Sequence, residues 1–207
     1  MIPGPAGSLE ALVDLPSGTP RAAVVFGHPH PQQGGGGTMH TKAVYQGAKG
    51  LARAGLAVLR FNFRGVGASS GSFDDGPGEC DDFRSALGYM SRAYPGVPLW
   101  AAGFSFGSWV ALETGATDDR VSVLIGIAPP VRREGYVFQH VLTSTKPKFF
   151  VQGSLDEVCL TKDLWAFYAK LREPKELAII DGADHLFTGR AAEVGEALED
   201  LLADFEG

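Results

Sequence analysis

Three side chains that together can perform nucleophilic catalysis lie in short motifs spread along the chain. Ser105 stands in the motif GFSFG, Asp156 in GSLDE and His185 in DGADH. A serine hydroxyl needs a base such as imidazole, and the imidazole needs a carboxylate that fixes its tautomer. These residue types predict acyl transfer through a covalent intermediate on Ser105, with His185 as the base and Asp156 as the acid that orients it.

The serine motif lies where a predicted strand turns into a predicted helix. An apolar run predicts a strand at Leu99–Phe104, and the next element is predicted to be a helix at Phe106–Thr114. A turn within one residue strains the backbone of Ser105, needs flanking residues without bulk, and lifts the hydroxyl clear of the sheet. The competing interpretation is a helix-capping serine beside glycines that allow close packing.

The acid and the base also follow predicted strands. Asp156 comes after the run KFFVQ, and His185 comes after ELAII and before the last predicted helix. The chain order Ser, Asp, His is known for serine nucleophiles on a strand–turn–helix elbow. Two neighbouring carboxylates are weaker candidates, because Glu157 is expected to point elsewhere and Asp184 to be a turn residue.

The segment FGHPHPQQGGGG, residues 26–37, is compatible with three chemistries. A metal site on His28 and His30, with His40 as a third ligand, would place two rings on one side of an extended chain. No Cys, Asp or Glu lies nearby in sequence to complete it. A phosphate loop would need Gly-Lys followed by Ser or Thr after the glycines, and this is not present. A loop that donates a backbone N–H to a developing oxyanion is the third and favoured interpretation.

The identity of the oxyanion donors follows from which residues have an N–H. One donor in such a site is the residue after the nucleophile, here Phe106, and the other comes from the loop after an earlier strand. Pro29 and Pro31 have no N–H. His30 is therefore the predicted second donor, and Gln32 is next in line.

A second glycine-rich stretch, RGVGASSG, begins at Arg64. Its spacing is G-x-G-x-x-x-G, and the next predicted strand ends without the acidic residue that would bind a ribose, so a dinucleotide site is not expected. The stretch is expected to border the mouth of the active site, with Arg64 in a hydrogen-bond or ion-pair role. The candidates for lining the substrate pocket are Phe104, Gln32 and Arg64.

Strands and helices alternate from residue 22 onward, which predicts an α/β fold with a mostly parallel, twisted sheet and helices on both faces. The strand predicted at Leu9–Leu15 is followed by the tight turn PSGTP and is expected to run antiparallel at one edge. The connection from Pro129 to Lys146 is too short for a multi-helix lid, so an open site is expected. The other predicted elements are strands at Ala22–Phe26, Leu56–Phe63, Val121–Ala128, Lys148–Gln152 and Glu176–Ile180, and helices at Thr41–Ala54, Glu79–Ala93, Thr161–Leu171 and Ala191–Phe205.

Bulk properties exclude several classes of function. The 207 residues are expected to form one domain, residues 1–207, and the net charge of −6 without any basic run disfavours nucleic acids and anionic membranes as partners. Cys80 and Cys159 show no metal or disulfide spacing. The N-terminus resembles no signal peptide, and no apolar run reaches the ~18 residues of a membrane span, so a cytoplasmic protein is expected. No cofactor is expected, and the protein is expected to be a monomer or a homodimer.

The motifs together resemble those of small, lidless bacterial α/β-hydrolases near the dienelactone-hydrolase-like branch. The resemblance is carried by GHPHP, GGTMHTKAV, LRFNFRGVGASSGSF, LWAAGFSFGSWVAL, VQGSLDEV and DGADHLF, which are spread over nearly the whole chain. It implies that Ser105 is the nucleophile, His185 the base and Asp156 the acid. The chain departs from the family pattern in its longer glycine run, in His40 where Asp is usual, and in Cys159-Leu160 where Val-Pro usually follows the acid.

The sequence thus predicts a serine hydrolase that acts on a small-molecule carboxylic ester, with thioesters as a second substrate class. A peptidase or an acyltransferase would use the same three residues. A binding protein that keeps a degenerate hydrolase fold, and a zinc enzyme built on His28 and His30, are alternatives from other classes. Neither alternative needs an intact set of Ser105, Asp156 and His185, and the sequence shows that set complete.

Overall fold

The computed structural model describes residues 1–205 and confirms the predicted fold class. Seven strands form one twisted sheet in the order β3-β5-β4-β6-β7-β8-β9, parallel throughout except for β3 at one edge. A separate hairpin pairs β1 with β2. The strands are β1 (Ile2–Gly4), β2 (Gly7–Leu9), β3 (Ala11–Asp14), β4 (Ala22–Gly27), β5 (Leu56–Phe61), β6 (Leu99–Phe104), β7 (Val121–Ile127), β8 (Lys148–Gly153) and β9 (Lys175–Ile180), and the helices are α1 (Lys42–Arg53), α2 (Pro77–Ala93), α3 (Phe106–Thr117), α4 (Gln139–Thr143), α5 (Thr161–Tyr168) and α6 (Ala191–Leu201).

The central strands are buried on both faces, which explains why they are continuous apolar runs in the sequence. Every residue of β4, β5, β6 and β8 is buried. Alternate side chains enter two different cores: Val25 faces the core that α2 and α3 cover, and Val24 faces the core that α1 and α6 cover. The two helical layers therefore hold the sheet rigid beneath its carboxyl edge, where ligands bind in open α/β sheets.

The N-terminal edge differs in detail from the prediction. The strand predicted at Leu9–Leu15 is divided between β2 and β3, and residues 2–9 form a hairpin that the sequence analysis missed. The antiparallel edge position is confirmed, because β3 pairs with β5 with Ala11 opposite Phe61. The strand after the tight turn, β4, is not the neighbour of β3, since β5 lies between them.

Several helix ends also differ from the predicted ones. Helix α2 begins at Pro77, two residues before the predicted start, because the Glu79 carboxylate accepts the Gly76 N–H and caps it. The closing helix ends at Leu201, and Phe205 packs beyond it against Trp100. Within residues 1–205, no helix combines the length and the apolar character needed to cross a membrane.

Candidate active site

The motif GFSFG forms a sharp turn between β6 and α3. Ser105 has φ 52° and ψ −120°, a left-handed conformation that residues with a side chain rarely adopt, and its N–H donates to Ile127 O on β7 at 2.8 Å. A Cβ on Gly103 would collide with the Gly107 carbonyl, and one on Gly107 would collide with the backbone at Gly27. Glycine at both positions is therefore what allows the helix to pass so close to the sheet.

Ser105, His185 and Asp156 form one continuous chain of hydrogen bonds. The distance from Ser105 Oγ to His185 Nε2 is 3.0 Å, and that from His185 Nδ1 to Asp156 Oδ2 is 2.8 Å. The carboxylate can only accept, so Nδ1 carries the proton and Nε2 is free to receive the serine proton. Asp184 instead accepts the Thr188 N–H at 2.8 Å, the contact expected of a turn residue.

The Asp156 carboxylate is buried and holds four hydrogen bonds. Its Oδ1 accepts the N–H groups of Val158 at 2.9 Å and Cys159 at 2.7 Å. Its Oδ2, besides accepting from the imidazole, accepts from Gln152 Nε2 at 3.0 Å. Gln152 was missed by the sequence analysis, although an amide at the end of the apolar run KFFVQ is the signal that could have indicated it.

Two backbone N–H groups beside Ser105 have no acceptor within residues 1–205: those of His30 and Phe106. Donors that are left free at a nucleophile are suited to stabilise a developing oxyanion. The N–H of Gln32, which the sequence analysis placed next in line, is not available because it donates to His30 Nδ1 at 3.1 Å.

The glycine run after this segment folds the loop back on itself. Gly34, Gly35 and Gly36 have φ values of 59°, 88° and 88°, three left-handed residues in succession. The Gly37 N–H then donates to His30 O at 2.9 Å. The run therefore closes a tight loop that holds the His30 peptide in place.

His28 holds the start of the loop through hydrogen bonds of both ring nitrogens. Neither nitrogen is therefore available as a metal ligand. It is fully buried, its Nδ1–H donates to Pro29 O at 2.7 Å, and its Nε2 accepts the Phe63 N–H at 3.1 Å. Both ring nitrogens are thus engaged, which argues against zinc on His28 and His30. Burial, which disfavours the imidazolium, lowers the pKa of His28 to about 4.

An aromatic cluster connects His30 and Phe106. The ring of Phe73 lies 4.8 Å from that of His30 and 5.8 Å from that of Phe106, measured between centroids. Phe73 belongs to the loop before α2, whose end is fixed by the Glu79 carboxylate. Arg64 anchors the start of this loop through a bidentate ion pair with buried Asp82.

A cavity of about 880 Å³ opens over Ser105 and His185. None of the three predicted pocket residues lines it. Phe104 is buried beneath the site, with its ring 5.4 Å from that of His185; the Gln32 side chain is exposed outside the cavity; and Arg64 is held by Asp82. The walls are instead formed by the glycine loop, by the connection after β7, and by the loops that contain Asp156 and His185. Together they include Gln33, Arg133, Tyr136, Val158 and Leu186.

The cavity has no lid over it in the described part of the chain. The connection between β7 and β8 contains only α4, which is five residues long.

One group of three possible metal ligands occurs among residues 1–205, formed by Asp156, Cys159 and His185. Asp156 and His185 are already bonded to each other, and burial holds the pKa of the Cys159 thiol far above its ordinary value, which disfavours the thiolate.

Comparisons with known proteins agree with this geometry. Residues 18–147 match a family model described as serine aminopeptidase, S33. An uncharacterized protein of Rickettsia prowazekii is 32% identical over 206 residues, which cover 96% of this chain and 86% of that protein. The family model ends before Asp156 and His185, so the geometry alone connects these two residues with Ser105.

Two solved structures are also similar over nearly their full length. An α/β serine hydrolase homologue from Coxiella burnetii is 39% identical, with a TM-score of 0.89 and coverage of 97% of this chain and 95% of that one. A serine hydrolase without a lid from Xanthomonas campestris is 34% identical, with a TM-score of 0.88 and coverage of 98% and 91%. The chain therefore belongs to the α/β-hydrolase superfamily, among its small serine hydrolases without a lid.

Proposed function

We propose that this chain is a carboxylesterase that cleaves esters, and thioesters as a second class, through an acyl-enzyme on Ser105, and that it acts as a single catalytic domain. The observation that carries the proposal is the chain of hydrogen bonds from Ser105 Oγ through His185 to Asp156, at 3.0 and 2.8 Å. Such an arrangement allows the serine proton to pass to the imidazole while the carboxylate stabilises the imidazolium.

The reaction proceeds in two halves around the same three side chains. Ser105 Oγ attacks the ester carbonyl and His185 Nε2 takes its proton, while the free N–H groups of His30 and Phe106 bind the oxyanion. His185 then gives the proton to the leaving alkoxide, and the alcohol departs. A water molecule, deprotonated by His185, then attacks the acyl carbon. The bond from that carbon to Ser105 Oγ breaks, His185 returns the proton to Oγ, and the acid is released.

The proposal is tested by labelling the protein with a fluorophosphonate probe and by measuring hydrolysis of short p-nitrophenyl esters. Wild-type protein is expected to be labelled and active, and Ser105→Ala to lose both properties while keeping its circular dichroism spectrum. The exposed Ser17→Ala is the matched control and is expected to behave as wild type. A folded wild-type protein that neither reacts with the probe nor cleaves any ester would instead be a binding protein on a hydrolase fold.

Aminopeptidase activity is the competing function, because the matching family model carries that description. An aminopeptidase must bind the α-ammonium group of its substrate close to the nucleophile. Two acidic residues, Glu157 and Asp163, line the cavity. Asp163 faces Arg132 at 3.9 Å, and Arg133 is a second cation in the connection after β7. Since these cations repel an ammonium group, we expect aminoacyl anilides to be cleaved far more slowly than esters.

A further inference from the structure

One wall of the cavity carries an arginine that has no acidic partner. Arg133 lies in the connection after β7, where its Nη1–H donates to the neutral Gln33 Oε1 at 2.9 Å and its guanidinium lies 5.3 Å above the Tyr136 ring. It forms no ion pair with any carboxylate of residues 1–205, whereas the neighbouring Arg132 faces Asp163. A guanidinium is always charged, and its planar set of donors matches a carboxylate.

The positive charge of Arg133 faces the space above the nucleophile. Its side chain is tied to Gln33 of the glycine loop, and it lines the same cavity as Ser105 and His185. The pKa of His30 is lowered mainly by burial and further by this charge, against a smaller opposite effect of the Asp75 carboxylate, and the same charge partly offsets the rise that burial causes in the pKa of Cys159. The charge of Arg133 therefore acts on groups on both sides of the cavity: on His30, in the loop after β4, and on Cys159, in the loop after Asp156.

The chemistry of the leaving group decides which half of an ester lies beside Arg133. His185 must protonate the leaving oxygen, so the alcohol lies on its side of the cavity. Two exposed apolar side chains, Leu186 and Val158, line that side. The acyl group then extends to the opposite side, toward the glycine loop, where Arg133 is hydrogen-bonded to Gln33.

We propose that Arg133 binds a carboxylate at the far end of the acyl group, so that the preferred substrates are monoesters of dicarboxylic acids with an apolar alcohol. This inference rests on the proposed esterase function. Neither carboxylate that lines the cavity pairs with the arginine: Glu157 forms no ion pair with it, and Asp163 faces Arg132. In a chain of net charge −6, a cation left free at this place is suited to a specific anionic ligand.

The test compares monobutyl esters of succinic, glutaric and adipic acids with the same esters in which the free carboxyl is a primary amide. Wild type is expected to hydrolyse the best acid-terminated ester with a kcat/KM about tenfold or more above that of its amide partner. Arg133→Gln is expected to lower kcat/KM about tenfold more for the acid-terminated ester than for its amide partner, so that the preference is lost. Arg84→Gln, which removes an exposed charge on α2, is the matched control and is expected to keep the preference.

A binding measurement makes the result independent of turnover. Ser105→Ala is expected to bind monobutyl glutarate more tightly than its amide analogue, and the difference is expected to shrink in high salt and to disappear in Ser105→Ala/Arg133→Gln. Equal binding of acid and amide would overturn the inference, as would equal losses on both esters in Arg133→Gln. If wild type cleaves neither ester and resists the fluorophosphonate probe, the esterase proposal itself fails, and the binding difference still decides the role of Arg133.

Discussion

The substitution Gly37→Ala tests whether the glycine loop sets the position of an oxyanion donor. The new Cβ would lie 2.6 Å from the carbonyl carbon of Pro29 and closer still to its oxygen. The Pro29 carbonyl and the His30 N–H belong to the same planar peptide group, so one cannot move without the other. The left-handed glycines lie before this position, and a methyl group at Gly37 acts through the collision rather than through backbone strain.

The size of the effect follows from the displacement that relieves the collision. Ordinary contact of a Cβ begins at 3.4 Å, so the Pro29 peptide must shift by roughly 1 Å. A shift of roughly 1 Å in a group that acts on the reacting atoms costs about 100-fold in rate. Complete loss of one oxyanion donor costs about 2.7–4 kcal/mol. We therefore expect Gly37→Ala to lower kcat about 100-fold.

The assay is steady-state hydrolysis of a p-nitrophenyl ester, together with thermal unfolding of each variant. KM is expected to change little in Gly37→Ala, because the oxyanion exists only in the transition state and the intermediate. Gly34→Ala is the matched control in the same loop: no atom lies within 4 Å of its Cβ, although φ is 59°. It is expected to lose about 1 kcal/mol of stability and less than about threefold in kcat.

A kcat of Gly37→Ala within about threefold of wild type, in a folded protein, would refute the reasoning, because the His30 N–H would then not be an oxyanion donor. Equal losses of kcat in Gly37→Ala and Gly34→Ala would also refute it. The loop would then tolerate no side chain at any position, and the Pro29 peptide would have no special role.

Substitutions at three further residues test other parts of the site. Asp156→Asn should lower kcat about 10⁴-fold, since the amide favours the wrong imidazole tautomer, and should cost about 1–3 kcal/mol of stability because its NH2 group cannot accept the hydrogen bonds of the buried carboxylate. A loss in kcat under about tenfold contradicts this role. Phe73→Ala should lower kcat and weaken a boronate transition-state analogue about tenfold at unchanged KM, and Phe73→Leu should restore most of both. Because the pKa of His28 is about 4 when folded and 6.5 in the unfolded chain, the unfolded state binds more protons between these values. The free energy of unfolding should fall by about 3 kcal/mol as the pH drops from 6.5 to 4, and urea titrations of His28→Gln should show a flatter dependence.

The parts of the site that depend on the ends of strands could be predicted from the sequence. The carboxyl ends of parallel strands share one edge, so Ser105, Asp156 and His185 were expected to meet before any contact was known. The proline pattern likewise singled out the His30 N–H, because local covalent chemistry decides which residues can donate. The His30 N–H has no acceptor among residues 1–205, which agrees with that reasoning, and its catalytic role is a proposal.

The cavity walls could not be predicted, because they are made by contacts between segments distant in sequence. Arg133 meets Gln33 across 100 residues, and no local pattern indicates such a pair. The ion-pair role predicted for Arg64 is confirmed by its contact with Asp82 on α2, but its predicted place in the pocket is wrong, because that distant partner holds it away from the cavity. The short hairpin at residues 2–9 and α4 were missed, since elements of three to five residues carry too little periodicity.

The central claim is that Ser105 carries a covalent acyl group during turnover. It is tested most directly by mixing the protein with excess p-nitrophenyl ester, following p-nitrophenol in the first turnover, and quenching in acid for intact and peptide mass spectrometry. The account predicts a burst of about one p-nitrophenol per protein molecule, with the mass of the acyl group on the peptide that contains Ser105 and none in Ser105→Ala. Ester turnover that continues undiminished in Ser105→Ala, or an acyl group found only on another residue, would contradict it.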